Sequence, residues 1–81
     1  MEKIIFYTKL NCHLCDDAYG ILLEVIHDIS LQIDVVDIRL SAKKDLMKRY
    51  GERIPVIGKP GATTDLEWPF TAADIKVYLQ A

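Results

Sequence analysis

Residues 3–16 read KIIFYTKLNCHLCD, and the pattern changes period inside this stretch. Lys3–Thr8 is rich in β-branched and aromatic side chains and reads as a buried strand. From Cys12 to Ile29 the apolar residues Leu14, Ala18, Leu22, Val25 and Ile29 recur at spacings of three and four, one face of a helix. Asn11 is placed to cap that helix, and Asp16 and Asp17 fall in its first turns, where the dipole favours anions. Gly20 is an interior cost of about 1 kcal/mol against alanine. The chain's two cysteines, Cys12 and Cys15, therefore lie where a strand gives way to a helix.

At a helix start the first backbone N–H groups are unpaired and carry partial positive charge. A thiolate placed there is stabilised, and cysteine pKa values fall from about 8.5 toward roughly 3.5–7.5 in such settings. Lys9, three residues ahead of Cys12, adds a nearby cation, and His13 adds another when protonated. Asp16 and Asp17 act in the opposite sense. With two residues between them on one helical turn, Cys12 and Cys15 can approach within disulfide reach. Cys12 would lie exposed at the helix start and Cys15 would be more shielded. That asymmetry makes Cys12 the attacking thiol and Cys15 the one that resolves the mixed disulfide. Following a strand and opening a helix, C-x-x-C points to a thioredoxin-like redox site.

Other readings of the pair stay open. Cysteine is often only a small buried apolar side chain. A closed tetrahedral zinc site wants four ligands, and Cys12, His13 and Cys15 supply three, with His27 at the far end of the helix. No metal site is expected within one chain, and a cluster shared between two chains is a further alternative. His13 reads as a solvated side chain or as a tuner of Cys12, and His27 as a surface cation at a helix C-terminus.

Beyond the first helix, Leu31–Ile38 is a second strand. Ser41 can cap a helix over Lys43–Tyr50, with Gly51 as its stop. Ile54–Ile57 is a third strand, Gly58–Gly61 is turn chemistry, and Thr64–Trp68 can pair back as a fourth. Thr71–Asp74 resembles a capping box that opens a last helix with Ile75, Tyr78 and Leu79 inward. Alternating strands and helices imply parallel pairing with right-handed crossovers, and the terminal hairpin adds an antiparallel edge. Asp34 and Asp37 read as solvated strand residues, with a buried proton acceptor behind the cysteines as the alternative for one of them, and Trp68 and Phe70 as a packed edge that anchors the last helix rather than a partner-docking patch. Pro55 stands out, because proline removes a ladder donor and is misplaced in a central strand without a special conformation. A cis Ile54–Pro55 bond would account for it and would present the Ile54 backbone to an incoming peptide or thiol ligand opposite Cys12.

The totals bound the rest. The 81 residues hold one domain, 1–81, with 51% hydrophobic and 27% charged side chains and a formal net charge of −2. Its stability should be on the order of 4–12 kcal/mol. No basic stripe suggests a nucleic-acid or membrane-surface partner. There is no signal-peptide pattern and no run of ~20 apolar residues, so a cytoplasmic location is expected, where a catalytic pair is favoured over a structural disulfide. A monomer is the default.

FYTKLNCHLC (6–15), followed by DVVDI (34–38), KRYGERIPVI (48–57) and a closing hairpin and helix, resembles the glutaredoxins of the thioredoxin superfamily. The tail Leu66-Glu67-Trp68-Pro69-Phe70 is similar to that of short bacterial glutaredoxin-like proteins. The resemblance implies a thioredoxin-like α/β fold of order β-α-β-α-β-β-α, a four-stranded mixed sheet with three helices. It implies a thiol–disulfide oxidoreductase with Cys12 as nucleophile and Cys15 as resolving thiol. Lys9 would sit near the glutathione carboxylate, and the Ile54 backbone, beside Pro55, would hold the glutathione cysteine. Glutathione or a disulfide-containing protein would be the partner, with no bound cofactor. The chain departs from glutaredoxins in having His13-Leu14 between the cysteines and no Gly-Gly-x-x-Asp segment after the proline strand. Two alternatives follow: a non-catalytic thioredoxin-fold adaptor for a protein or metal cluster, and a reductant of a dedicated protein partner that works without glutathione.

Overall fold

β1, Glu2–Thr8, alternates its side chains, with Ile4 and Phe6 buried on one face and Ile5 and Tyr7 half-buried on the other, as suits an interior strand. A computed structural model describes residues 2–39 and 45–80 and places β1 second in a four-stranded sheet of order β2-β1-β3-β4. The elements that follow are α1 (His13–Asp28), β2 (Leu31–Asp37), α2 (Asp45–Tyr50), β3 (Val56–Gly58), β4 (Leu66–Glu67) and α3 (Ala72–Gln80). β1 and β2 pair in parallel, while β1–β3 and β3–β4 are antiparallel. This is the mixed sheet with three helices of a thioredoxin-like α/β fold.

Each sheet face has its own core. Ile4, Phe6 and Ile57 meet Cys15, Ala18, Leu22 and Val25 of α1 and Ile75 and Leu79 of α3 on one side. On the other, Val56 and Ile38 pack with Tyr50 of α2, and Tyr7 stacks on Tyr50 at 4.3 Å between ring centroids. Trp68 and Phe70 meet edge-on at 5.1 Å and pack into the α1–α3 side, fixing the entry to α3. The Thr71–Asp74 box closes in both directions: the Thr71 N–H donates to the Asp74 carboxylate at 2.9 Å, and the Asp74 N–H to the Thr71 hydroxyl at 3.1 Å.

Four expectations shift. The cap of α1 is Cys12 and not Asn11, which instead takes a left-handed conformation at φ 61° in the turn. That moves the helix start by one residue and turns Cys15 inward in place of Leu14, which is 48% exposed. β3 begins at Val56 because the Ile54 N–H still donates to the Tyr50 carbonyl at the end of α2, at 3.1 Å. β4 spans only Leu66–Glu67, since the Thr64 carbonyl is taken by the Tyr78 hydroxyl at 2.7 Å. The proposed Ser41 cap and the helix start at Lys43 lie outside the described residues. Gly51 ends α2, its N–H donating to the Met47 carbonyl at 2.9 Å. A Cβ at Gly51 would collide with that same oxygen. Asp34 pairs with Lys3 at 3.0 Å on the sheet surface, and Asp37 accepts from the Arg39 N–H at 2.9 Å.

Candidate functional site

Cys12 and Cys15 are joined as a disulfide, with their Cα atoms 5.1 Å apart. The chain leaves β1 at Thr8, turns through Lys9–Asn11, and enters α1 with Cys12 in an extended conformation (φ −109°, ψ 103°). That is the geometry of an N-cap, and the capping acceptor is a sulfur: the Cys15 N–H donates to the Cys12 Sγ at 3.2 Å. The Cys12 carbonyl accepts the first intrahelical bond, from the Asp16 N–H at 3.2 Å. Cys15 is 3% exposed and belongs to the core around Leu22 and Phe6, whereas Cys12 is only half-buried at its margin. The two sulfurs therefore differ in access.

His13 is exposed at the first helical position, and Asp16 and Asp17 are exposed beyond it. Lys9 is half-buried in the turn before Cys12. Leu10, 63% exposed, and Leu14 flank the disulfide as an apolar rim. Ile54 packs against the same core margin as Cys12, and Pro55 behind it is fully buried. The Ile54–Pro55 peptide bond is cis, as is Trp68–Pro69. The Ile54 N–H, which the resemblance would have presented to a ligand, is engaged by the Tyr50 carbonyl. The proline loop is also tied to β4, the Trp68 N–H donating to the Pro55 carbonyl at 3.2 Å. Among the described residues no three His, Cys, Asp or Glu side chains gather as a metal-binding group.

A second polar cluster braces this loop, and no pattern in the chain announces it. Arg53, two residues before Pro55, donates from Nε to the Glu67 carboxylate at 2.6 Å and pairs with it again through Nη2. The same guanidinium reaches the Arg49 carbonyl and lies 5.3 Å over the Tyr50 ring. The Tyr50 hydroxyl donates to Asp65 at 3.1 Å. Burial first, and this bond to an anion second, push the Tyr50 hydroxyl up to about 12. Residues 14 and 15 positions apart meet here only because β3 and β4 fold back on each other, so sequence spacing carries no signal of it.

A profile of the glutaredoxin-like domain (DUF836) matches residues 3–80. The chain belongs to this glutaredoxin-like family. A solved structural-genomics target protein from X. campestris is similar to this glutaredoxin-like chain at 31% identity, covering 95% of each chain with a TM-score of 0.79. No curated protein matches it. A glutaredoxin-like fold with paired cysteines at the start of α1 is compatible with redox chemistry, and no helix among the described residues is long and apolar enough to cross a membrane.

Proposed function

We propose that this glutaredoxin-like chain is a thiol–disulfide oxidoreductase acting in a reducing compartment such as the cytoplasm. The observation that carries the reading is the Cys12–Cys15 pair at the head of α1, one sulfur at the surface and one in the core. In the reduced protein the Cys12 thiolate accepts the Cys15 N–H and faces the positive end of α1. It attacks one sulfur of a substrate disulfide; the other sulfur leaves as a thiolate and a mixed disulfide forms. Cys15, deprotonated, then attacks the Cys12 sulfur and expels the second substrate thiolate. Two electrons have passed to the substrate, and the intramolecular disulfide of this structure is the product. Glutathione is a fitting reductant and co-substrate, with Lys9 as the cation for a carboxylate and the Ile54 carbonyl as a backbone acceptor beside Pro55.

A second reading, a dedicated protein partner served without glutathione, is favoured by Leu10 and Leu14, whose exposed side chains offer a polypeptide an apolar seat on either side of Cys12. Equilibration in glutathione buffers, with thiol trapping and intact-mass measurement, tests the reading. One dithiol–disulfide transition at Cys12–Cys15 is expected. Persistent glutathione adducts on Cys12 would favour the glutathione route. Thiols that stay free at every ratio would remove the oxidoreductase reading and leave an adaptor.

A further inference from the structure

β2 is the last strand of the sheet order, and among the described residues no strand pairs with its outer edge. Seven residues long, Leu31–Asp37 contains none of the proline, glycine or lysine that blunt exposed edges. Its one mid-strand charge, Asp34, is already paired to Lys3. Above this edge lies an apolar flank of α1. Asp28, bound to Lys76 of α3 at 2.6 Å, marks the flank that faces α3. Tyr19, Leu23 and Ile26, at spacings of four and three, occupy the opposite flank, and all three are exposed. The Tyr19 ring sits 5.9 Å from Phe6, and Val35, in register with Phe6 and so on the same face, is 55% exposed beside them.

We propose that this edge joins two copies of the chain, β2 against β2 in antiparallel pairing about a two-fold axis at Ile33. The sequence of the strand is self-complementary in that register. On the α1 face Ile33 meets its own copy and Leu31 meets Val35 of the second chain. On the other face Gln32 meets Asp34 of the second chain, so no carboxylate stands opposite a carboxylate. An axis at Asp34 would set the two Asp34 side chains against each other. The same rotation puts both copies' Tyr19–Leu23–Ile26 flanks on one side of an eight-stranded sheet, four strands from each copy, above both Val35 side chains. An isologous contact of this kind closes on itself and buries both edges at once.

A contact through one edge strand belongs to the small, transient class of interfaces, near or below about 1,200 Å² in total, so association is sought at ~10–500 µM. Sedimentation equilibrium of the disulfide-intact chain over that range tests it. The chain should pass from monomer to dimer. Val35→Lys and Leu23→Glu, both at exposed positions, should hold it monomeric with the thermal midpoint unchanged. Gln32→Glu, which sets a carboxylate opposite Asp34 twice over, should weaken association several-fold. A chain that stays monomeric throughout, or a dimer insensitive to any of the three substitutions, overturns the proposal.

Discussion

The backbone N–H of Cys15 donates to the sulfur of Cys12, so the side chain that caps α1 is also the more accessible of the two cysteines. In the reduced protein this bond and the positive end of the helix favour the thiolate of Cys12, against the exposed Asp16 and Asp17. Burial acts on Cys15 in the opposite direction. We expect two separated steps when thiolate absorbance is followed against pH, the lower one below about 8.5 and absent in Cys12→Ser. Loss of the lower step in Cys15→Ser instead would exchange the two roles.

Tyr50 supplies an alkaline limit to stability. Its hydroxyl is raised from 10.0 to about 12, so the fold favours the neutral form. The contribution is fully present below pH ~10 and is lost as pH rises through ~12, a total of about 3 kcal/mol. Denaturant melts of wild type and Tyr50→Phe across that window should give stability curves that cross, the variant lacking the steep alkaline loss and ending the more stable of the two. At neutral pH the variant should be weaker by about 1 kcal/mol, the worth of the bond to Asp65. Parallel curves for the two proteins would contradict this role.

Leu22 has no exposed surface and sits at the centre of the α1 side of the core. Leu22→Ala should cost ~2–5 kcal/mol. In a chain of this size that is a large part of the total. Urea unfolding should show the variant largely unfolded or shifted to a much lower midpoint with the same slope.

Two glycines should respond oppositely to alanine. Gly20 lies mid-helix with nothing within 4 Å of an added Cβ, so Gly20→Ala should stabilise by about 0.5–1 kcal/mol. Gly51→Ala drives a methyl into the Met47 carbonyl at the end of α2 and should destabilise. Thermal melts of the pair decide it, and equal effects of the same sign would not fit this geometry.

The order of elements and the parallel β1–β2 pairing were legible because the residues near Cys12 switch from a strand to a helix period, and because Pro55 marks the strand beside β1; the alternation of strands and helices also implied a parallel β3, which instead runs antiparallel to β1. The inward face of α1 was legible only to within one residue. Leu14 is the more hydrophobic candidate for the first inward position, but the sulfur cap at Cys12 fixes the helix phase and delivers Cys15 there instead. A cap made by cysteine looks like no ordinary cap in sequence, and Asn11, a common capping residue, was serving the turn. The Arg53–Glu67 and Tyr50–Asp65 contacts were invisible because they depend on hairpin register, which a short β4 with a long preceding turn does not encode locally. His13 and Lys9 fall near Cys12 by chain adjacency alone.

The turn at Lys9–Asn11 ends in a residue that is both stopper and tool. In the proposed exchange, each round that occupies the Cys12 sulfur changes the acceptor of one particular amide, that of Cys15, within the first turn of α1. That amide is a resident witness of the chemistry: its proton frequency should register thiolate, mixed disulfide and closed ring as three distinct states, with no label attached to the protein or to its substrate.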